Sequence, residues 1–396
     1  MARIIFFLID GLADKGIETP LKLAKKPNID KLLKNSFLAN FEIFTKKDWP
    51  KKGSSSLTGL ANLKILGYKF KEIKNIKRGP LEAIGADIEF QNGYLALRVD
   101  FGTVDKNLKV IDRRAGRNIF GLDQLEKTIN QILFDIPFHF HRTYGHRGVL
   151  IFKEKLSHFI SDSDPLEKNK KVRKVKALKK DPLTKKTAKI VQKFLEKVHY
   201  VLENHQINIE REKRNILKAN YLLTREAGNF LPQLKNFFEK YKLKNGLTVA
   251  ENGALKGGCK LVGFNTLTLP EIENIKKRYN FYKKSIFENF NKYDLIYLHL
   301  KEADEAAHDK NFQKKKEFFE FFDNWFISIY KKFPNIKYVI TGDHITNSKT
   351  GKHEFGEIPI LIINYKEKNY PKEFSESEAK IKKIKVKPEN LWYDII

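Results

Sequence analysis

Cysteine is nearly absent: Cys259 stands alone in 396 residues. That excludes a disulfide framework and any zinc site built on cysteines, and it fits a reducing cytoplasm. Long hydrophobic runs are missing too. The apolar stretch at residues 4–9, IIFFLI, is far shorter than the roughly 20 residues needed to cross a bilayer. It has neither a basic leader nor a small-residue cleavage site, so no signal peptide and no membrane partner are expected. Acidic residues are few beside basic ones, 48 against 76, leaving a formal charge of +28. Such a charge attracts polyanions, and a nucleic-acid partner has to be weighed. Lysine nevertheless alternates with Glu and Asp through most of the chain, as on solvated helix faces. The densest basic run, 168–186, has little hydrophobic patterning and reads as an exposed connection. No specific nucleic-acid partner is expected.

What is present is enough apolar material, 41% of residues, for two or three structural units with substantial cores. Residues 3–9 form a β-rich run that delivers Asp10-Gly11 to its end, the pattern of a buried strand. Residues 293–300, 336–344 and 358–364 are further strand candidates, and 314–333 carries apolar residues at helical spacing. Strands alternating with helices imply an α/β unit whose mainly parallel sheet is sandwiched by helices. Such sheets place ligands outside the carboxyl ends of their strands. Residues 1–85 and 260–396 are expected to build this core. Between them, 86–259 reads as an inserted, smaller α+β domain with strands at GYLALRVDFGTVD and RGVLIF and helices at DQLEKTINQIL and TAKIVQKFLEKVHYVLENH.

Chemistry concentrates at the expected strand ends. Asp304 and His308 lie four apart, so on a helix one carboxylate and one imidazole share a face and can converge on a divalent ion. Asp343-His344 follow an apolar strand, and His353 precedes the next. Each pair alone is common on protein surfaces. With Asp10 they make three carboxylates and three imidazoles at one edge of one sheet, a mixed oxygen and nitrogen donor set that suits zinc or manganese. Two close ions can clamp the attacking and leaving oxygens of phosphoryl transfer. A second, cationic set comprises Arg98, Arg113, Arg114, Arg117, His146, Arg147, Arg225 and Lys256, several beside glycines. Arginine's planar fork recognises phosphate and carboxylate bidentately, so the expected substrate is small with at least two negative groups.

The segments FLIDGLAD, KPNIDKL, ANLKILGY, RGPLEAIGADIE, LRVDFGTVD, VIDRRAGR, GHRGVLI, ISDSDP, LTREAG, LKGG, ADEAAH and TGDH, with His353, resemble those of the archaeal-type, cofactor-independent phosphoglycerate mutases of the alkaline phosphatase superfamily. The resemblance runs along nearly the whole chain. It implies an alkaline-phosphatase-like core, one metal held by Asp10, Asp343 and His344, and another by Asp304, His308 and His353. The ions it implies are manganese or zinc, with magnesium or cobalt as alternatives, and no bisphosphoglycerate. The family's nucleophile lies nine residues before a Gly-Tyr pair; counting back from Gly67-Tyr68 gives Thr58, which would also touch metal, with Ser54, Ser55 and Ser56 as alternatives. Gly59 stands where the family usually has Asp, Lys77 where it has Gly, and Lys69-Phe70 where it has Asp-Pro. Asp112 is the candidate acid or base. The implied activity is interconversion of 3- and 2-phosphoglycerate in the cytoplasm, on a small phosphorylated carboxylate. A metal-dependent phosphatase, or a mutase for another phosphorylated hydroxy acid, is the alternative, and a non-enzymatic polyanion binder is a third reading.

Overall fold

A computed structural model of the chain describes residues 3–49 and 57–396. Its larger sheet has eight strands in the spatial order Lys385–Val386, Ser36–Phe41, Ile358–Ile363, Lys337–Thr341, Ile4–Ile9, Leu295–Leu300, Gly246–Ala250, Asn265–Thr268. The strands around Ile4–Ile9 run parallel to it, as the alternation of strands and helices requires. Ile358–Ile363 is the exception, antiparallel to both neighbours. It follows the two-stranded ribbon Ile345–Asn347 and Lys352–Glu354 with no crossover helix, and a strand that returns without one has to run backwards.

All six residues of Ile4–Ile9 are buried because helices cover both faces. Successive strand residues point to opposite sides. Phe6 stacks on Tyr297 and Trp392 on one face, while Phe7 meets Phe322, Trp325 and Phe326 of helix Phe312–Tyr330 edge-on on the other. That helix starts at Asn311, whose side chain accepts the Lys314 amide, and buries its aromatic stripe.

The second sheet is antiparallel, built on Tyr94–Val104, with Arg147–Lys155 and Tyr221–Gly228 on either side and Val110–Asp112 and Phe138–Tyr144 completing it. It has a separate apolar core, in which Phe194 of helix Pro182–Glu203 packs against Phe134, Phe138 and Phe152. The stretch 86–259 expected to be inserted runs past this core. Gly246–Ala250 is hydrogen-bonded into the large sheet beside Leu295–Leu300, and Ala254–Leu261 buries Leu255 and Cys259 in the larger core. The physical reason is that GLTVA is a fully buried five-residue strand, too short for periodicity to distinguish from a loop-bound apolar run.

The two units meet where helix Arg78–Gly85 lies on strand Tyr94–Val104. A Cβ at Gly79 would sit 2.2 Å from the Ala96 carbonyl oxygen, so only glycine permits this approach, which sets Arg78 and Glu82 beside Arg98. Among the described residues, no helix is long and apolar enough to cross a membrane.

Candidate active site

The parallel strands of the large sheet release ligand-type side chains at their carboxyl ends. Asp10 follows Ile4–Ile9 and is held there by its amide, which donates to the Leu300 carbonyl at 2.8 Å. Asp343 and His344 follow Lys337–Thr341, and both are buried. Asp304 and His308 occupy helix Glu302–His308, one residue beyond Leu295–Leu300 and Lys301. Gly11 makes the convergence possible: its φ is +62°, and a Cβ there would lie 2.9 Å from Asp304 Oδ1, so a side chain would displace the carboxylate.

These groups form two overlapping donor sets, Asp304 with His308 and His353, and Asp10 with Asp304 and His344. The Nδ1–H of His308 donates to the Gly351 carbonyl at 2.8 Å. That contact assigns the proton to Nδ1 and leaves the Nε2 lone pair facing inward, the arrangement of a metal-bound imidazole. His308 Nε2 and His353 Nε2 are 3.1 Å apart, and His308 Nε2 is 3.3 Å from Asp304 Oδ2. Asp10 Oδ1 and Asp343 Oδ2 are buried with no hydrogen-bond partner among the described residues. Burial and the neighbouring Asp10 push the Asp343 carboxyl above the ordinary range. Orphaned buried carboxylate oxygens and inward lone pairs are what a divalent cation relieves, so the residues present fit the ions the resemblance implies.

The facing wall is cationic, and carboxylates hold it in place. Asp164 grips Arg113 bidentately, at 2.9 and 2.6 Å, and lies 3.1 Å from Arg225 Nε. Asp100 pairs with Arg98 at 3.1 Å and with Arg225. Burial opposes its ionisation, but Arg98 and Arg225 outweigh burial and hold its carboxyl well below the usual range. Glu82 takes Arg98 at 2.9 Å and also pairs with Arg78. Arg147 reaches Glu251 at 3.3 Å, and Glu251 is also paired with Lys301. Burial drives the His146 imidazole down to about 3, against the pull of Asp100, so it is neutral at physiological pH. The Arg114 guanidinium makes no hydrogen bond or ion pair among the described residues and lines the cleft.

A cleft of about 220 Å³ brings the two walls together: Asp10, Thr58, Asp304, His308 and His353 on one side, Arg98, Arg113, Arg114, His146, Arg147 and Arg225 on the other. Thr58 is the second residue of helix Leu57–Ile65 and half-buried, and Gly59 beside it is buried near Leu81 and Ala254. Ser54, Ser55 and Ser56 lie outside the described residues.

Three expected residues stand elsewhere. The Lys256 ammonium is 1% exposed and bound by Asp87 Oδ2 at 2.7 Å, Thr268 Oγ1 at 2.6 Å and Asn252 Oδ1 at 3.1 Å. It ties a helix to a loop and has no donor left for a ligand. Arg117 is half-exposed and forks onto Asp309 at 2.9 and 3.2 Å, outside the cleft. Asp112 caps the turn that carries Arg114, accepting the amides of Arg114 and Gly116 and pairing with Lys168 at 2.6 Å. Burial raises its carboxyl, but these contacts bring it below the usual range, which suits a fixed anion better than a proton carrier.

Sequence reasoning passed over His299, whose Nε2 is 3.2 Å from Asp10 Oδ2; it lies inside an apolar run and looks like a core residue. A histidine one residue before the end of a buried strand was the available signal. Asp164, Glu251 and Lys301 were passed over as well, because their partners are distant in sequence, and so were Asp100 and Glu82, which also pair locally with Arg98 and Arg78. Thr346, whose hydroxyl donates to Asp304 Oδ1 at 2.7 Å, carried no signal.

Comparison with known proteins is consistent with this geometry. Residues 48–208 match the family model for 2,3-bisphosphoglycerate-independent phosphoglycerate mutase. A protein of that name from Methanocaldococcus jannaschii is 36% identical over 370 residues, covering 91% of this chain and 88% of the relative. Another from Archaeoglobus fulgidus is 35% identical over 389 residues, 95% of this chain and 92% of that one. Among solved structures, a Pyrococcus horikoshii protein superposes with a TM-score of 0.76 at 26% identity, covering 100% of this chain and 96% of that chain. The cofactor-independent phosphoglycerate mutase of Thermoplasma acidophilum gives 0.62 at 25%, with coverage of 100% and 99%. The chain belongs to the 2,3-bisphosphoglycerate-independent phosphoglycerate mutase family, whose members are isomerases.

Proposed function

We propose that this chain interconverts 3-phosphoglycerate and 2-phosphoglycerate in the cytoplasm through a phosphorylated Thr58, without bisphosphoglycerate. Asp10, Asp343 and His344 would hold one divalent ion, and Asp304, His308 and His353 the other, manganese or zinc suiting their mixed donors. When bound, such ions lower the pKa of a nearby hydroxyl and neutralise phosphate oxygens.

The chain's own residues account for the rest. Arg98, Arg113, Arg147 and Arg225 meet the phosphate and carboxylate with planar forks already oriented by Asp100, Asp164, Glu82 and Glu251. Thr58 Oγ1 gives up its proton and bonds to phosphorus as the bond from phosphorus to O3 breaks, and O3 takes up a proton in exchange. The freed glycerate turns within the cleft, O2 gives up its proton and attacks the phosphothreonine, and the Thr58 oxygen leaves phosphorus and is reprotonated. Closure of the arginine-bearing unit, Tyr94–Val104 through Tyr221–Gly228, on the large sheet would exclude the water that would hydrolyse the phosphoenzyme.

One observation carries this reading: Thr58 lines the same small cleft as the carboxylate and imidazole cluster and the arginine wall. An enolase-coupled assay without bisphosphoglycerate tests it. Thr58→Ala should lower mutase activity by on the order of 10⁵-fold or more, while Thr58→Ser remains active. Full activity in the Ala variant would reassign the nucleophile. Release of free phosphate from 3-phosphoglycerate, with no 2-phosphoglycerate formed, would make the chain a phosphatase.

A further inference from the structure

The outer face of the arginine-bearing unit carries charge that the mutase reaction does not use. Residues 168–197 contain thirteen lysines and arginines against Asp181 and Glu196. This stretch is not a loose connection. Bridges between Lys109 and Lys171 and between Ile160 and Ala177 strap it down. The Arg173 amide donates to the Ser163 carbonyl at 2.8 Å, and the Val175 amide to Gln192 Oε1 at 2.8 Å. Val175 is buried, so the ribbon is pinned against helix Pro182–Glu203.

Between ribbon and helix runs a groove of about 440 Å³. Lys174 stands on the ribbon side; Lys185, Lys189 and Lys193 line the helix side. Spaced four apart, the three share one helix face and rise about 6 Å from each to the next. Lys174, Lys185 and Lys189 make no ion pair among the described residues, and Lys193 has only the exposed Asp135, at 2.8 Å. Like charges four apart destabilise a helix by about 0.2–0.5 kcal/mol per pair, a cost that a bound anion reverses. Val175, Ala177, Ala188, Gln192 and one carboxylate, Glu196, complete the lining, which has no aromatic ring among the described residues. A linear track of cations suits a chain of regularly repeated phosphates better than a compact anion, which would engage one or two of them. Without aromatic platforms, the contact is to the backbone and tolerant of base sequence.

We propose that this groove binds the phosphate backbone of single-stranded nucleic acid without base preference, independently of the mutase site. The test is fluorescence anisotropy of the full chain with a labelled oligouridylate of about 16 nucleotides, across a salt series. The variant is Lys185→Glu/Lys189→Glu/Lys193→Glu. The control, Lys276→Glu/Lys277→Glu/Lys284→Glu, changes the net charge equally on another exposed helix. At about 0.15 M salt, the groove variant should lose at least about tenfold in affinity, and its log–log salt slope should flatten by about 2 units, three contacts at roughly 0.7 each. The control should change less than about threefold, and both should retain mutase activity. The corresponding Gln variant, which removes charge without reversing it, should show a smaller loss in the same direction. Equal losses in groove variant and control, no binding at that salt, or tighter binding of inorganic polyphosphate of matched charge would each overturn the proposal.

Discussion

The two walls of the cleft solve opposite electrostatic problems. On the large sheet, Asp10, Asp304 and Asp343 crowd together, and buried oxygens of Asp10 and Asp343 have no hydrogen-bond partner among the described residues. On the second sheet, most of the cleft arginines already grip a carboxylate, and Asp100 and Asp164 each hold two of them. A cation would satisfy the orphaned oxygens of the first wall. The second is largely paired as folded, although among the described residues the buried Nε groups of Arg98, Arg147 and Arg225 make no hydrogen bond, and anions meet forks that carboxylates already orient. The difference shows where each wall is vulnerable: one to loss of an external ion, the other to loss of an internal partner.

The largest expected effect breaks the first wall. Chelation should abolish mutase activity, and manganese or zinc should restore it. Saturating metal should raise the unfolding free energy by about 2.7 kcal/mol at a hundredfold excess over Kd, a gain that Asp304→Asn should forfeit in a melting experiment. Retention of activity after exhaustive chelation would remove the metal reading of these ligands.

Asp164→Asn strikes the second wall. It leaves Arg113 and Arg225 without their shared carboxylate, and breaking a buried pair costs about 3 kcal/mol. Denaturant unfolding should show that loss, and KM should rise while bound metal stays unchanged. A fall in metal content would mean that the walls are not separable.

A third measurement sharpens the contrast through pH. His146 titrates near 6.5 when unfolded but is pushed down to about 3 in the fold, chiefly by burial. Folding therefore disfavours its protonation. The stability it contributes is fully present above pH 6.5 and is lost as pH falls toward 3. His146→Gln should show a shallower acid limb over that window, read as unfolding free energy against pH, and coincident limbs would contradict the assignment.

The smallest effect concerns the pair that spans the two units, Arg117 and Asp309. Both are exposed, so a double-mutant cycle should give a coupling of about 0.2–1 kcal/mol and a change in KM of only a few fold. A large fall in kcat would instead make this pair part of closure.

Much of the first wall was legible because its determinants are local. A buried strand announces itself as a short apolar run, and the residue after it lies at the sheet edge whatever the rest of the chain does. Asp10, Asp343 and His344 could be placed that way, and Asp304 with His308 by helical spacing. His299 was hidden by the same logic, since a side chain within an apolar run reads as core. The second wall was legible only in composition. Arg113, Arg117 and Lys256 looked alike as basic residues near glycine, yet Arg113 enters the cleft, Arg117 forks onto Asp309 outside it, and Lys256 is consumed by Asp87, Asn252 and Thr268.

The amino-acid order alone determined the α/β class and which residue types gather at the strand ends, because both follow from periodicities of two and 3.6 residues that act over short range. Only the folded chain decided which cations face the substrate. That choice depends on Asp164 reaching Arg113 across 51 residues and Asp100 reaching Arg225 across 125, and on a glycine letting one helix lie against one strand. Such long-range contacts are set by packing between units and leave no periodic trace in the sequence.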